Sequence, residues 1–237
     1  MVKIHCISSP RNISTAMMYA FAQRRDTRVV DEPFYAHYLI RTGKDHPGRD
    51  EVLASQPHDK QQVMEELGQM QDKPVLFIKN MSKHLDGIDI GWFEDCVQLL
   101  LIRDPRQIIA SFAKGYPDPG MDDIGLDVQL ALYQFFIENN WPVVVLDCNQ
   151  VLQNPRGVLS SMCDRLGIPW DPAMLTWEPG PRPEDGVWAR YWYHSVHKSS
   201  GFNPPSHKKR ELPASCEALY LEALPYYEQL YLHALKA

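Results

Sequence analysis

An α/β domain built on a five-stranded parallel sheet is the fold class the sequence predicts. Short, continuous apolar runs recur along the chain, and stretches with helical spacing separate them. The runs are apolar throughout rather than alternating, as strands are when both faces of the sheet are covered. The chain of 237 residues, 44% of them hydrophobic, is long enough for one domain with a full core and excursions.

The first strand is read from Val2, Ile4, Cys6 and Ile7, and a helical pattern over 14–25 follows it. Further strands are expected at 28–31 (RVVD), 75–78 (VLFI), 97–102 (VQLLLI) and 143–146 (VVVL). Helices are expected at 58–70, 105–114, 126–139 and 156–166, with Gly115 and Gly167 at C-terminal caps. The long polar crossover, a helical excursion around 35–74, carries Gly43, Pro47, Gly48 and Pro57 and suggests a lid. From about 170 to 211 six prolines and the aromatic cluster Trp188 to Tyr193 (WARYWY) predict an ordered, irregular segment. The segment 212–235 returns to helix, with a break or kink expected near Pro225. The whole of 1–237 reads as one domain, without internal repeats.

A formal charge of -6 argues against a general nucleic-acid surface and leaves room for a local basic pocket. The five cysteines, Cys6, Cys96, Cys148, Cys163 and Cys216, are scattered without a C-x-x-C and read as buried thiols of a reducing compartment. No signal-peptide pattern and no membrane-length apolar window is found, so a cytoplasmic protein without membrane contact is expected.

In a parallel α/β sheet ligands bind at the C-terminal strand edge, so the residues just after each strand are the ones to question. The first such turn, 8–15 (SSPRNIST), joins a strand directly to a helix. Unpaired N–H groups at that helix start, the helix dipole, Arg11 and the hydroxyls of Ser14 and Thr15 suit an anion. The loop lacks the glycines and lysine of G-x-x-x-x-G-K-[ST] and is not a Walker A motif. Read alone, it is also compatible with an ordinary turn, a capping serine and a solvated arginine. The second turn is Arg103-Asp104-Pro105, where Asp104 suits the N-cap and Pro105 the first helical position. Ser111 then lies about 9 Å along the helix from Pro105.

Taken together, S-x-P-R-x-x-S-T at the first turn and R-D-P-x-x-x-x-x-S at the later one resemble the sulfotransferases. The similarity extends to 143–174, where a strand, an acidic turn, N-P, a helix and G-I-P follow one another. It covers most of 1–174. The resemblance implies a three-layer, P-loop-like fold with strand order 2-3-1-4-5 and a nucleotide co-substrate, 3′-phosphoadenosine 5′-phosphosulfate. It places the 5′-phosphosulfate on Arg11, Asn12, Ile13, Ser14 and Thr15, and the 3′-phosphate on Arg103 and Ser111. It implies a small-molecule hydroxyl or amine as acceptor and no metal. Glu32, in Glu32-Pro33-Phe34, looks like the proposed base of the bacterial branch, and Lys79 to His84 resembles the segment that often supplies a catalytic lysine and histidine. Ser199 and Ser200 resemble a late segment that returns over the 3′-phosphate and adenine. Two positions depart from the pattern. Ile13 stands where many members have glycine. Met81 stands where the cytosolic branch has its histidine, which moves that role to Glu32 or His84.

The residue types fit sulfuryl transfer, in which the protein aligns an in-line displacement and steadies charge. Glu32 would take the acceptor proton if its pKa is raised, and Lys79 would steady the departing oxygen. Against these stand plainer readings: Glu32 paired with an arginine, and His84 as a cap or surface residue. Asp147 reads as a cap of the next turn rather than a magnesium ligand. His194 and His197 have the spacing of a metal pair but no partner ligand. The run 207–210 (HKKR) reads as solvated, and the cluster 188–193 as core. A P-loop kinase or nucleotide hydrolase is the runner-up, and a nucleotide-binding module without turnover the non-enzymatic rival. Nothing in the sequence identifies the acceptor or the oligomeric state.

Overall fold

The computed structural model describes residues 1–115, 118–204 and 211–236. Five parallel strands form one sheet in the order β2-β3-β1-β4-β5, as the family resemblance implies. They are β1 (Val2–Ser8), β2 (Thr27–Asp31), β3 (Val75–Met81), β4 (Cys96–Ile102) and β5 (Val143–Asp147). The central strands β1, β3 and β4 are buried along nearly their whole length, which is why they read as unbroken apolar runs.

Helix α1 (Ser14–Ala22) connects β1 to β2. The crossover to β3 holds α2 (Tyr35–Thr42), α3 (Arg49–Ser55) and α4 (Lys60–Gln69). Of these the periodicity of the sequence indicated only the last. The other two are single patches of two turns, α3 with Val52 alone fully buried, too short for a window of apolar spacing to register. After β4 come α5 (Pro105–Phe112), α6 (Met121–Ile124) and α7 (Leu126–Glu138). After β5 come α8 (Cys148–Gln153) and α9 (Pro155–Leu166). The irregular segment contains α10 (Ala189–Trp192), and the chain ends on α11 (Glu217–Tyr231).

Two apolar layers lie on the two faces of the sheet. One packs α1 and α9 around Met17, Phe21, Phe77, Leu99 and Leu159, with Phe21 stacked on Phe77 at 4.1 Å. The other gathers Ile7, Leu76, Leu100, Ile102, Phe136 and Leu230 beneath α7 and α11. All five cysteines are buried as free thiols. Among the described residues no helix is long and apolar enough to cross a membrane.

The helix ends follow local chemistry with two exceptions. Asp104 accepts the Arg106 N–H at 2.8 Å ahead of Pro105, and Gly167 closes α9 in the left-handed region at φ 70°. Gly115, expected as a cap, lies beyond α5, whose C-cap is Ala113 in helical geometry. The expected break at Pro225 is also absent: α11 runs unbroken through it. Ala223 and Leu230 are buried on either side of the proline, and Tyr226 and Tyr227 pack against the same layers. Tertiary packing therefore holds the helix across a missing backbone hydrogen bond. The run 207–210 lies outside the described residues.

An unbroken α11 implies that Pro225→Ala restores one helical hydrogen bond without rearrangement. Urea unfolding should show a gain of about 1–3 kcal/mol. No gain would mean that the helix is bent around the proline.

Candidate active site

The C-terminal edge of the sheet opens into a cavity of about 860 Å³. The loop between β1 and α1 forms its floor, with Arg11, Asn12, Ile13, Ser14 and Thr15 all lining it. Two residues of this loop take positive φ, Arg11 at 61° and Ile13 at 52°. For a β-branched residue this is a rare conformation, and the loop around it must hold it in place. It explains why glycine is usual at position 13. Ile13, not a serine, occupies the N-cap, and no side chain caps the helix. The N–H groups at the start of α1 are therefore left for a ligand in the cavity. Asn12 anchors the loop by donating to the Leu101 carbonyl at 2.5 Å, and the Cys148 thiol donates to the Asn12 carbonyl at 3.0 Å.

Arg103 and Ser111 come to this loop from β4 and α5. Arg103 donates to the Arg11 carbonyl at 2.6 Å and to Gln107 at 2.9 Å, and Arg11 donates from Nε to Ser111 Oγ at 3.0 Å. The two guanidinium groups thus stand together, and among the described residues neither has a carboxylate partner. Burial and the charge of Arg103 both lower the pKa of Arg11. A buried arginine beside a half-buried one, neither paired with a carboxylate among the described residues, suits an anion.

Glu32 follows β2 directly, turns the chain at φ 43°, and lines the cavity. Its Oε1 accepts from Lys79 Nζ at 2.5 Å, and its Oε2 lies 3.6 Å from His84 Nδ1. Burial raises its pKa, and the pull of Lys79 only partly offsets this. The partner is thus a lysine, not the arginine considered from sequence.

Lys79 does not line the cavity. It is fully buried and donates to Asp31 at 2.7 Å, to Glu32, and to the Tyr193 hydroxyl at 2.8 Å. Asp31 and Lys79 are register partners on β2 and β3, so their side chains share a face. Burial works against the ammonium, but Asp31 and Glu32 outweigh it and raise its pKa to about 12.

His84 is buried in a 3₁₀ turn (Ser82–Leu85) rather than exposed, and its ring stacks on Tyr35 at 4.6 Å. Its Nδ1 has no hydrogen-bond partner. Burial, then Lys83, His46 and Lys79, hold its pKa well below the usual histidine value. Its neighbour Lys83 lines the cavity, and its place just after a strand was the one sequence signal that pointed to it.

Ser199 lines the cavity, accepting from Trp177 Nε1 at 3.2 Å and donating to the Val196 carbonyl at 2.7 Å. Ser200 does not line it; its carbonyl accepts the Trp177 N–H at 3.1 Å. The aromatic cluster is divided: Trp188, Trp192 and Tyr193 face the cavity. Asp147 caps α8 by accepting from Asn149 and Gln150, as its position suggested. His197 binds Asp185 at 3.0 Å, and among the described residues no metal-ligand cluster is formed.

Comparison with known proteins places this site in context. The profile of a family described as "Sulfotransferase domain" matches residues 2–234. Two Arabidopsis thaliana proteins, branched-chain-amino-acid aminotransferase-like proteins 1 and 2, are 40% and 37% identical over 97% of this chain. The chain spans only 42% and 41% of their lengths. The sulfotransferase domain of the Synechococcus PCC 7002 olefin synthase shares the fold at 18% identity and a TM-score of 0.63, over 100% of this chain and 96% of that one. A sulfotransferase from Alicyclobacillus acidocaldarius does so at 12% identity and a TM-score of 0.56, over 99% and 97% of the two chains.

Lys79→Met should cost about 3–5 kcal/mol in urea unfolding, because it leaves two buried carboxylates without their cation. Without Lys79 the pKa of Glu32 rises further. A raised carboxyl stabilises the fold at low pH and loses that contribution as pH rises, so the loss should be larger at pH 8 than at pH 5. An equal loss at both would show that Glu32 stays neutral throughout.

Proposed function

The chain belongs to the sulfotransferase domain family, and on that premise we propose that it transfers a sulfuryl group from 3′-phosphoadenosine 5′-phosphosulfate to a hydroxyl or amine of a small molecule. The observation that carries this reading is the pairing of Arg11 with Arg103 and Ser111 at the open start of α1. A donor with phosphate groups at both ends of its nucleoside needs two neighbouring anion sites. Arg11 and the N–H groups of Ser14 and Thr15 hold one group, and Arg103 with Ser111 the other. Ser199 lies on the wall where the nucleoside would rest.

Glu32 acts as the base. Burial raises its pKa against the pull of Lys79, which makes the carboxylate a stronger proton acceptor than an exposed glutamate. Lys79 orients Glu32 and reaches no ligand itself, so it is a positioning residue in this scheme. His84, its pKa held low by burial, stands 3.6 Å from Glu32 Oε2 without a hydrogen bond to it. Charge on the departing phosphate falls to Arg11 and the loop N–H groups.

Two measurements test the proposal. Adenosine 3′,5′-bisphosphate should bind without magnesium, and more tightly than ATP with it. Arg103→Ala and Ser111→Ala should each weaken it by about 1.5–3 kcal/mol while sparing an analogue without the 3′-phosphate. Stronger stabilisation by magnesium–ATP would instead support a kinase or hydrolase.

The pH dependence of kcat/KM gives the second. Glu32 works deprotonated, so activity should fall as pH drops through its pKa, an acid limb above the ordinary value of 4.5. Glu32→Gln should remove that limb and cost about 10²–10⁴-fold in turnover while keeping nucleotide affinity. Near-normal turnover in Glu32→Gln, with His84→Ala inactive, would move the base to His84.

A further inference from the structure

We propose that the acceptor is an aromatic hydroxy acid and that Lys83 binds its carboxylate. This rests on the transfer reading above and adds the substrate class to it.

Among the described residues, four cations line the cavity: Arg11, Lys83, Arg103 and Lys114. Arg11 and Arg103 are joined to each other at the donor loop. Lys83 stands apart. Its ammonium forms no hydrogen bond or ion pair with any described residue and rests over the rings of Tyr38 at 5.5 Å and Phe112 at 5.6 Å. The carboxylates that could neutralise it are already engaged: Lys44 holds Asp122 at 2.7 Å and Asp123 at 2.6 Å, and Lys79 holds Glu32. Burial, opposed by Asp123 and reinforced by Lys44, lowers its pKa to about 8. A desolvated ammonium without a counter-ion is an unfavourable arrangement that a bound anion relieves.

Its surroundings separate it from the donor end. The charges acting on Lys83 are those of Asp123, Lys44, Glu32 and Asp122, whereas Arg11 responds to Arg103. Lys83 thus belongs with Glu32, on the side where an acceptor must present its hydroxyl. The walls there are rings: Tyr35, His46, Phe112 and Trp192 line the cavity. His46 is held neutral, its pKa lowered to about 4, and lies 5.8 Å from Tyr35 and 6.4 Å from Trp192. Rings on the walls, a cation at one point and a carboxylate base at another match a planar acceptor with an acid at one end and a hydroxyl at the other. In the reaction the hydroxyl oxygen bonds to sulfur as the bond from sulfur to the phosphate oxygen breaks. The hydroxyl proton passes to Glu32, and the acceptor's carboxylate is unchanged.

Calorimetric titration with para-hydroxybenzoate, para-hydroxyphenylacetate and para-hydroxyphenylpropionate, each against its neutral amide, tests this. At least one acid should bind the wild type about tenfold or more tightly than its amide. Lys83→Met, or Lys83→Gln if the first fails to fold, should abolish that preference, and Lys83→Arg should keep it. Unchanged binding of adenosine 3′,5′-bisphosphate by the variants shows that the rest of the site is intact. If no acid is preferred over its amide, or if the preference survives the loss of the lysine charge, the proposal is wrong. If the nucleotide fails to bind the wild type, it is the transfer reading that fails, and the comparison of acids with amides still judges Lys83.

Discussion

The ammonium of Lys79, enclosed between Asp31 and Glu32, is the contact on which the working edge of the sheet depends. Lys79 is fully buried and reaches both carboxylates and the Tyr193 hydroxyl. An ion pair so far from water adds little net stability, because desolvation consumes most of the Coulombic gain. What it supplies is geometry. Tyr193 donates to Asp31 at 2.8 Å and accepts from Trp188 at 3.0 Å, and Asp31 also accepts the Gly186 N–H at 3.3 Å. Gly186 lets the Trp188 ring lie against the backbone, where a Cβ would come within 2.1 Å of it. One buried cation thereby ties the irregular aromatic segment to the end of β2, so that Trp188 and Tyr193 of that segment line the cavity.

The same edge concentrates unusual backbone. Four non-glycine residues have positive φ among the described residues, and three of them, Arg11, Ile13 and Glu32, line the cavity. Each turns the chain sharply at a strand end. Arg11 and Ile13 do so where N–H groups must face inward, and Glu32 where a carboxylate must leave the sheet without leaving Lys79. Such conformations cost on the order of 1–3 kcal/mol each and persist where the surroundings over-determine them. Here the restraints are the Asn12 bond to Leu101, the Arg103 bond to the Arg11 carbonyl, and the Glu32 N–H bond to the Lys79 carbonyl at 2.8 Å.

Charge is divided along the cavity by the same economy of partners. The overall charge is -6, yet among the described residues Arg11, Arg103 and Lys83 pair with no carboxylate, while Lys79 and Lys44 are saturated with them. Net charge therefore says little about the site. Which lysine is paired and which is left over decides what the cavity attracts.

The fold was legible in the sequence because it rests on local signals. Apolar runs mark strands buried on both faces, and Asp104-Pro105 marks a helix start by its own hydrogen bond and fixed φ. The turn 8–15 and the Arg103–Ser111 spacing likewise indicated one end of the site, since strand ends in a parallel sheet share an edge. The short helices α2 and α3, the continuity of α11 through Pro225 and the burial of His84 depend on packing partners distant in the chain. The division of labour between Lys79 and Lys83 is of this kind. Both follow from one strand–turn segment, and nothing local separates them. Register with Asp31 turns the first inward to a pair of carboxylates, and the end of the strand frees the second to face the cavity. Residue types and their order determined the sheet and the strand–turn–helix at 8–15; only the tertiary structure decided which charges are neutralised, because that depends on which side chains the register of non-adjacent strands brings together.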